Sequence, residues 1–270
     1  MKKQVLLIGA LGGLGSATVD LLSQNGWFVF AADIQKEVFT SYEQNANVTP
    51  LLIDIRNEDS IKEAFQFISN QSSGLDAVIN MAGILMVGSM AELPVSDLQK
   101  ALEINLFGFY RVNQQFLPLL LERKGRIINL SSEVGKQTAA PFNGVYAISK
   151  HAIEAYSDAL RRELTFIGIK VIKIQPGPFK TFMTKNAEEL FLKAQKNSVY
   201  FKTNLAKGIP YLPKVYKNAH DPLVVAKVIL RALESSNPKT AYPIKTDLPR
   251  KILDWLPAKW ADKLIKKILS

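Results

Sequence analysis

The sequence predicts an α/β fold, a doubly wound parallel sheet with helices on both faces, built as a single domain over residues 1–270. Three observations carry that expectation. Over residues 1–180 short apolar runs alternate with amphipathic helical patterns, the signature of a parallel sheet covered on both faces. The first run leads through a glycine-rich turn straight into a helical pattern. Neither an internal repeat of roughly 20–50 residues nor a low-complexity linker divides the chain.

The first strand is expected at Gln4–Ile8 and the first helix at Leu14–Gln24. The run "FVFAA" gives a second strand at Phe28–Ala32, and "PLLID" a third at Pro50–Asp54, followed by a helix at Asp59–Ser69. Short apolar runs place further strands at Ala77–Asn80, Arg126–Leu130 and Lys170–Gln175, with helices at Ser96–Glu122 and Val145–Phe166 between them. From Pro178 to Ala219 the pattern breaks into Pro, Gly, Lys and Asn with scattered aromatics. An irregular segment that long in a compact domain is usually functional, so residues 178–220 are read as a lid. After it, "DPLVVAKVILRALES" is a helix with proline in its first turn, "TAYPI" a last strand, and residues 248–270 an amphipathic tail.

Composition excludes several classes. Hydrophobic residues at 47% and charged residues at 21% are ordinary globular values, which argues against disorder. Cysteine is absent, so disulfides, thiolate zinc sites and a cysteine nucleophile are excluded; a reducing, cytoplasmic setting fits. The two histidines, His151 and His220, have no neighbours at metal-ligand spacing, and no metal is expected. The opening "MKKQVLLIGALGGLG" mimics a signal peptide, but its apolar run is short, glycine-broken and without a cleavage site. No apolar stretch is long enough for a spanning helix. The net charge of +10 is local: residues 1–179 carry 16 Lys and Arg against 17 Asp and Glu, whereas residues 180–270 carry 18 against 7.

Gly9, Gly13 and Gly15 lie between an apolar strand and a helix, the context a dinucleotide-binding turn requires. Glycines let the backbone turn tightly and approach a pyrophosphate, whose charge rests on the unpaired N–H groups at the helix start. Asp33 stands at the end of the second strand, where a carboxylate accepts from the adenosine ribose hydroxyls and repels a 2′-phosphate. That favours NAD over NADP, with Lys36 the residue that could recruit a phosphate instead. Tyr146 and Lys150, four residues apart at the head of an amphipathic helix, share one helical face.

With "NMAG" at 80–83, "INLFG" at 104–108, "INLSSEVG" at 128–135, "YAISK" at 146–150 and "PGPFKT" at 176–181 in order after the glycine turn, the chain resembles the short-chain dehydrogenase/reductase family over about residues 4–245. The resemblance implies a Rossmann-type oxidoreductase moving a hydride between a nicotinamide cofactor and an alcohol or carbonyl. It makes Tyr146 the general acid/base and Lys150 the cation that stabilises its phenolate and binds the nicotinamide ribose. Ser132 would hold the substrate oxygen, and Asn105 would sit in a local helix distortion and hold a water in a proton relay from Lys150. Asn80 and Gly83 match the element beside the adenosine half, Asp54 the adenine contact and Thr181 the carboxamide contact. Leu14, Ile55, Ala82, Pro176 and Gly177 fall to the cofactor cleft on the same resemblance. It also implies a homodimer or homotetramer.

The sequence departs from the family pattern at Ile8, Gly12 and Met81, and the gap from Ser132 to Tyr146 is longer than is common. Ser132 rather than Ser131 keeps a glycine three residues on, Gly135. The motifs "YAISKHAIEAYSDALRREL" and "PGPFKT" are closest to the retinol and 17β-hydroxysteroid dehydrogenase branch, which suggests a bulky apolar substrate. Phe179, Phe182, Met183, Leu190, Phe191, Leu192, Tyr200 and Phe201 would line its pocket or pack the lid.

Other functions find less support. A non-catalytic dinucleotide-binding regulator would not need the intact Ser, Tyr, Lys and Asn set. Nucleic-acid binding lacks a recognition motif, and hydrolysis lacks a Gly-x-Ser-x-Gly elbow. In the tail, Ile252, Leu256, Trp260, Leu264 and Ile268 recur every four residues among lysines, with Pro257 dividing the segment. Such a stripe suits a peripheral membrane contact, or a helix docked on the body or on a second subunit.

Overall fold

The computed structural model describes residues 2–270; the side chains of Lys214, Tyr216, Leu248, Pro249, Lys251 and Ile252, the last of these in the expected tail stripe, lie outside the described part. Seven strands, β1 (Gln4–Ile8), β2 (Phe28–Asp33), β3 (Val48–Leu52), β4 (Ala77–Asn80), β5 (Arg126–Leu130), β6 (Lys170–Pro176) and β7 (Ala241–Ile244), form one parallel sheet in the order β3-β2-β1-β4-β5-β6-β7. The helices are α1 (Gly13–Gln24), α2 (Glu37–Tyr42), α3 (Glu58–Gln71), α4 (Val95–Leu102), α5 (Gly108–Glu122), α6 (Gly144–Leu164), α7 (Phe182–Lys185), α8 (Ala187–Asn197), α9 (Lys202–Gly208), α10 (Leu212–Lys217), α11 (Leu223–Glu234), α12 (Leu248–Trp255) and α13 (Ala258–Leu269).

Both faces of the strands are apolar, as a doubly covered sheet demands. Val5 and Leu7 of β1 pack on one side with Val19 and Leu22 of α1 and Val225 and Ile229 of α11. Leu6 and Ile8 pack on the other with Ile61 and Ile68 of α3 and Phe116 of α5. The strand order reverses between β1 and β4, and the crevice beyond their carboxyl ends is where ligands bind in such sheets.

Three expectations are corrected. The third strand lies two residues earlier than Pro50–Asp54, with Pro50 paired opposite Ala31 in its middle. β3 is an edge strand, and Ile53 N–H donates to Asp33 O, so odd-numbered N–H groups face β2 and the one Pro50 lacks would face outward. The helix expected at Ser96–Glu122 is α4 and α5 joined by a π-turn over Glu103–Phe107. The segment read as irregular from Pro178 to Ala219 holds α7 to α10, helices of 4 to 11 residues, too short to show a clear period. Among the described residues no helix is long and apolar enough to cross a membrane, and no cluster of three or more His, Asp or Glu suits a metal ion.

Candidate active site

The turn between β1 and α1 cannot be built without glycine. Gly9 has φ +88°, and a Cβ there would lie 2.7 Å from Ala82 N; one on Gly15 would lie 2.0 Å from Gly9 O. Gly12 caps α1 with backbone alone and no acid stands in its first turn, so the positive helix end is left for a ligand. Asp33, buried at the end of β2, accepts from Leu11 N at 2.9 Å and Gln35 N at 3.2 Å. Its carboxylate thereby holds the turn at a fixed distance from the strand end.

A cleft of about 930 Å³ runs from this turn across the carboxyl end of the sheet. It gathers Gly9, Gly13, Leu14, Gly15, Asp33, Asp54, Ile55, Ala82 and Gly83 at one side, Ser132, Tyr146 and Lys150 at the other, and Pro176, Gly177 and Thr181 beyond. Asp54 and Arg56 form a bidentate pair at 2.8 and 2.6 Å, which holds the carboxyl below its usual range. Thr181 packs its methyl side on Gly13 while its hydroxyl accepts from Thr184 N, starting α7.

Two expected residues do not reach the wall. Asn80 donates to Asn113 Oδ1 at 2.8 Å and to Asn129 Oδ1 at 2.9 Å, in a buried polar layer beneath the cleft. Its side chain belongs to the floor, and β4 meets the cleft through Met81–Gly83 instead. Asn105 lies in the π-turn, and its amide brackets Ile84, accepting from Ile84 N at 2.8 Å and donating to Ile84 O at 3.0 Å. A Cβ on Gly83 would stand 3.3 Å from Asn105 Oδ1 and 3.9 Å from Lys150 Nζ, so both groups close on the same backbone.

Ser132 follows β5 by two residues and caps the short turn Glu133–Gly135, accepting from Val134 N at 3.2 Å. Ser131 is fully buried, and its hydroxyl has no partner among the described residues. Lys150 is buried, donates to Leu130 O at 2.9 Å and lies 5.7 Å from the Tyr146 ring centroid. Burial pulls its pKa down to about 8, opposed by the Glu154 carboxylate one turn along. Burial pushes the Tyr146 phenol up to about 12, opposed by the Ser132 hydroxyl and reinforced by Glu133. At the phenol the cost of burying a phenolate outweighs the neighbouring groups.

Sequence reasoning missed the support behind Lys150. Glu154 is bonded to Lys173 Nζ at 2.9 Å and accepts from Gln175 Nε2 at 2.8 and 2.9 Å, all three buried. The signal available was Glu154 at four residues from Lys150 on an apolar helix face. Of the aromatic and apolar residues after Pro178, Phe179, Phe182, Met183 and Leu190 line the cleft. Phe191 lies against Gly208, Phe201 meets Phe142 edge to face, and Leu192 and Tyr200 are exposed.

The short chain dehydrogenase family model matches residues 3–190. A probable short-chain type dehydrogenase/reductase of Helicobacter pylori is 34% identical over 98% of this chain and 97% of its own length. Retinol dehydrogenase 7 of Mus musculus is 31% identical over 89% of this chain and 79% of its own. A solved structure of an actinorhodin polyketide ketoreductase variant with NADPH superimposes with a TM-score of 0.77 at 25% identity, covering 90% of this chain and 95% of that one. With the glycine turn and the cleft placed as they are, the chain belongs to the short-chain dehydrogenase/reductase family.

Proposed function

We propose that this oxidoreductase interconverts a bulky apolar alcohol and its carbonyl compound with NAD, using Tyr146 as general acid/base. The observation that supports it most is convergence: Tyr146, Lys150 and Ser132 share one cleft with the glycine turn and Asp33. A nicotinamide cofactor, when bound, supplies or accepts the hydride. The residues present fit such a group, since the start of α1, with no side-chain cap and no acid in its first turn, opens on the cleft at Gly12, Gly13 and Gly15. Asp33 favours NAD, as its carboxylate repels a 2′-phosphate. Lys36 is exposed and absent from the cleft wall, and Arg56, which does line it, is committed to Asp54.

In reduction the protonated Tyr146 phenol donates to the substrate oxygen, which Ser132 Oγ orients; in oxidation the phenolate takes the proton back. Near neutral pH the phenol at about 12 stands ready as an acid. Lys150 Nζ, with one proton on Leu130 O, has others for the ribose hydroxyls. Asn105 fixes the backbone of Ile84 beside it. An apolar substrate is supported by Phe179, Phe182, Met183 and Leu190 in the cleft and by the likeness to a retinol dehydrogenase.

The test is a cofactor titration followed by an absorbance screen near 340 nm over retinoids, steroids and aliphatic alcohols with NAD, and their carbonyl counterparts with NADH. Turnover of a bulky apolar compound supports the reading. Cofactor binding without turnover across both panels would assign the chain to a dinucleotide-binding regulator.

A further inference from the structure

The last helix presents three arcs of different chemistry. Ala261, Ile265 and Leu269 are partly buried where α13 packs on α9, with Leu269 against Gly208. Asn204 Nδ2 donates to Leu269 O at 2.8 Å, and Lys207 bonds the main chain of Ser270. One residue earlier at each turn, Trp260, Leu264 and Ile268 form a second apolar row that nothing in the fold covers, at 67%, 42% and 44% exposure. The helical angle of about 100° per residue sets this row beside the docked one, sets Lys263 and Lys267 along its far edge, and puts Lys259 and Lys266 further round the helix, all four exposed. Trp255 at the end of α12 is 84% exposed. The single acid of α13, Asp262, falls between the lysines and the docked row.

We propose that this outward arc of α13 is a docking surface for an anionic lipid bilayer. A helix held to the body by one row and offering a second apolar row edged with lysines and a tryptophan can lie in the interface plane without leaving the fold. The charge argues for lipid against a second copy of this chain. α13 carries Lys259, Lys263, Lys266 and Lys267 against Asp262 alone, so two copies of this helix repel each other, whereas anionic headgroups attract it. The tail is also tied to the segment after β5: Asp254 of α12 accepts from Thr138 N at 2.8 Å, and Asp247 N donates to Glu133, next to Ser132.

The experiment is vesicle co-flotation of the full chain with phosphatidylcholine alone and with phosphatidylcholine containing phosphatidylserine, at low and high salt. The same is done for Trp260→Glu/Leu264→Glu and for Lys259→Glu/Lys263→Glu/Lys267→Glu, with cofactor affinity and gel filtration as checks on folding. The full chain should float with the anionic vesicles in a salt-sensitive way, and each variant should lose at least about tenfold in partitioning with cofactor affinity unchanged. A full chain that ignores the anionic vesicles, or variants that float as it does, overturns the proposal. A dimer that Trp260→Glu/Leu264→Glu converts to monomer, without flotation of the full chain, gives the arc to a second copy. None of these readouts depends on finding a substrate.

Discussion

Lys150 Nζ stands 5.7 Å from the centroid of the Tyr146 ring, with a proton committed to Leu130 O at 2.9 Å. Burial has brought that ammonium to about 8, below its free value, so it is charged below about pH 8 and neutral above. Cofactor affinity should therefore fall by about fivefold as pH rises through 8, the roughly 1 kcal/mol by which charged hydrogen bonds exceed neutral ones. Fluorescence titration of reduced cofactor across this range checks it. Lys150→Met should bind weakly and without the step; a step that survives in the variant belongs to another group.

Asp33 carries two duties, the turn and the proposed choice of cofactor. Asp33→Ala removes the acceptor for Leu11 N, which costs about 1–3 kcal/mol, a loss of several degrees in Tm, and relaxes discrimination against NADP. Asp33→Asn keeps an acceptor and removes the charge, so it should shift cofactor preference with a smaller loss of Tm. A wild type that already prefers NADP in side-by-side kinetics contradicts the assignment.

The two serines that follow β5 are separable. Ser132 lies at the Tyr146 phenol, whereas Ser131 is buried beside Gly135, whose Cβ would meet Ser131 Oγ at 2.9 Å. Ser132→Ala should lower kcat/KM by about tenfold or more, and Ser131→Ala far less. Steady-state kinetics in the reverse order would move the substrate oxygen to Ser131.

Gly9 and Gly26 have nearly the same backbone, φ +88° and +82°, in different surroundings. A Cβ on Gly26 meets nothing within 4 Å, so Gly26→Ala should cost only the left-handed strain of about 1–2 kcal/mol and spare cofactor binding. Gly9→Ala adds a collision with Ala82 N and should abolish binding. Equal behaviour of the two variants in thermal melts and titration would remove the cradle from the account.

What could be read without the structure follows from how local each signal is. β1, β4 and β5 stand at their expected bounds because each is an apolar run ended by a turn or polar residue. Pro50 misled because a strand interior tolerates proline only when its outer side is free, and edge position is set by sheet order. Cleft residues on the glycine turn were legible from their strand-to-helix context, and Tyr146 and Lys150 from the family resemblance that the ordered motifs carry. Asn80 was placed near the site but not in its polar floor, because Asn113 and Asn129 come from distant elements. The phenol's high pKa was hidden for a related reason: spacing puts Lys150 near Tyr146, yet burial by the rest of the cleft decides the balance.

The most direct test of the central claim is turnover by Tyr146→Phe on the compound the wild type uses best, with cofactor affinity measured on the same preparation. The variant keeps the ring that packs beside Lys150 and loses only the proton donor. The account predicts cofactor binding within about twofold of wild type and turnover lower by about 10²-fold or more. Near wild-type turnover would contradict it.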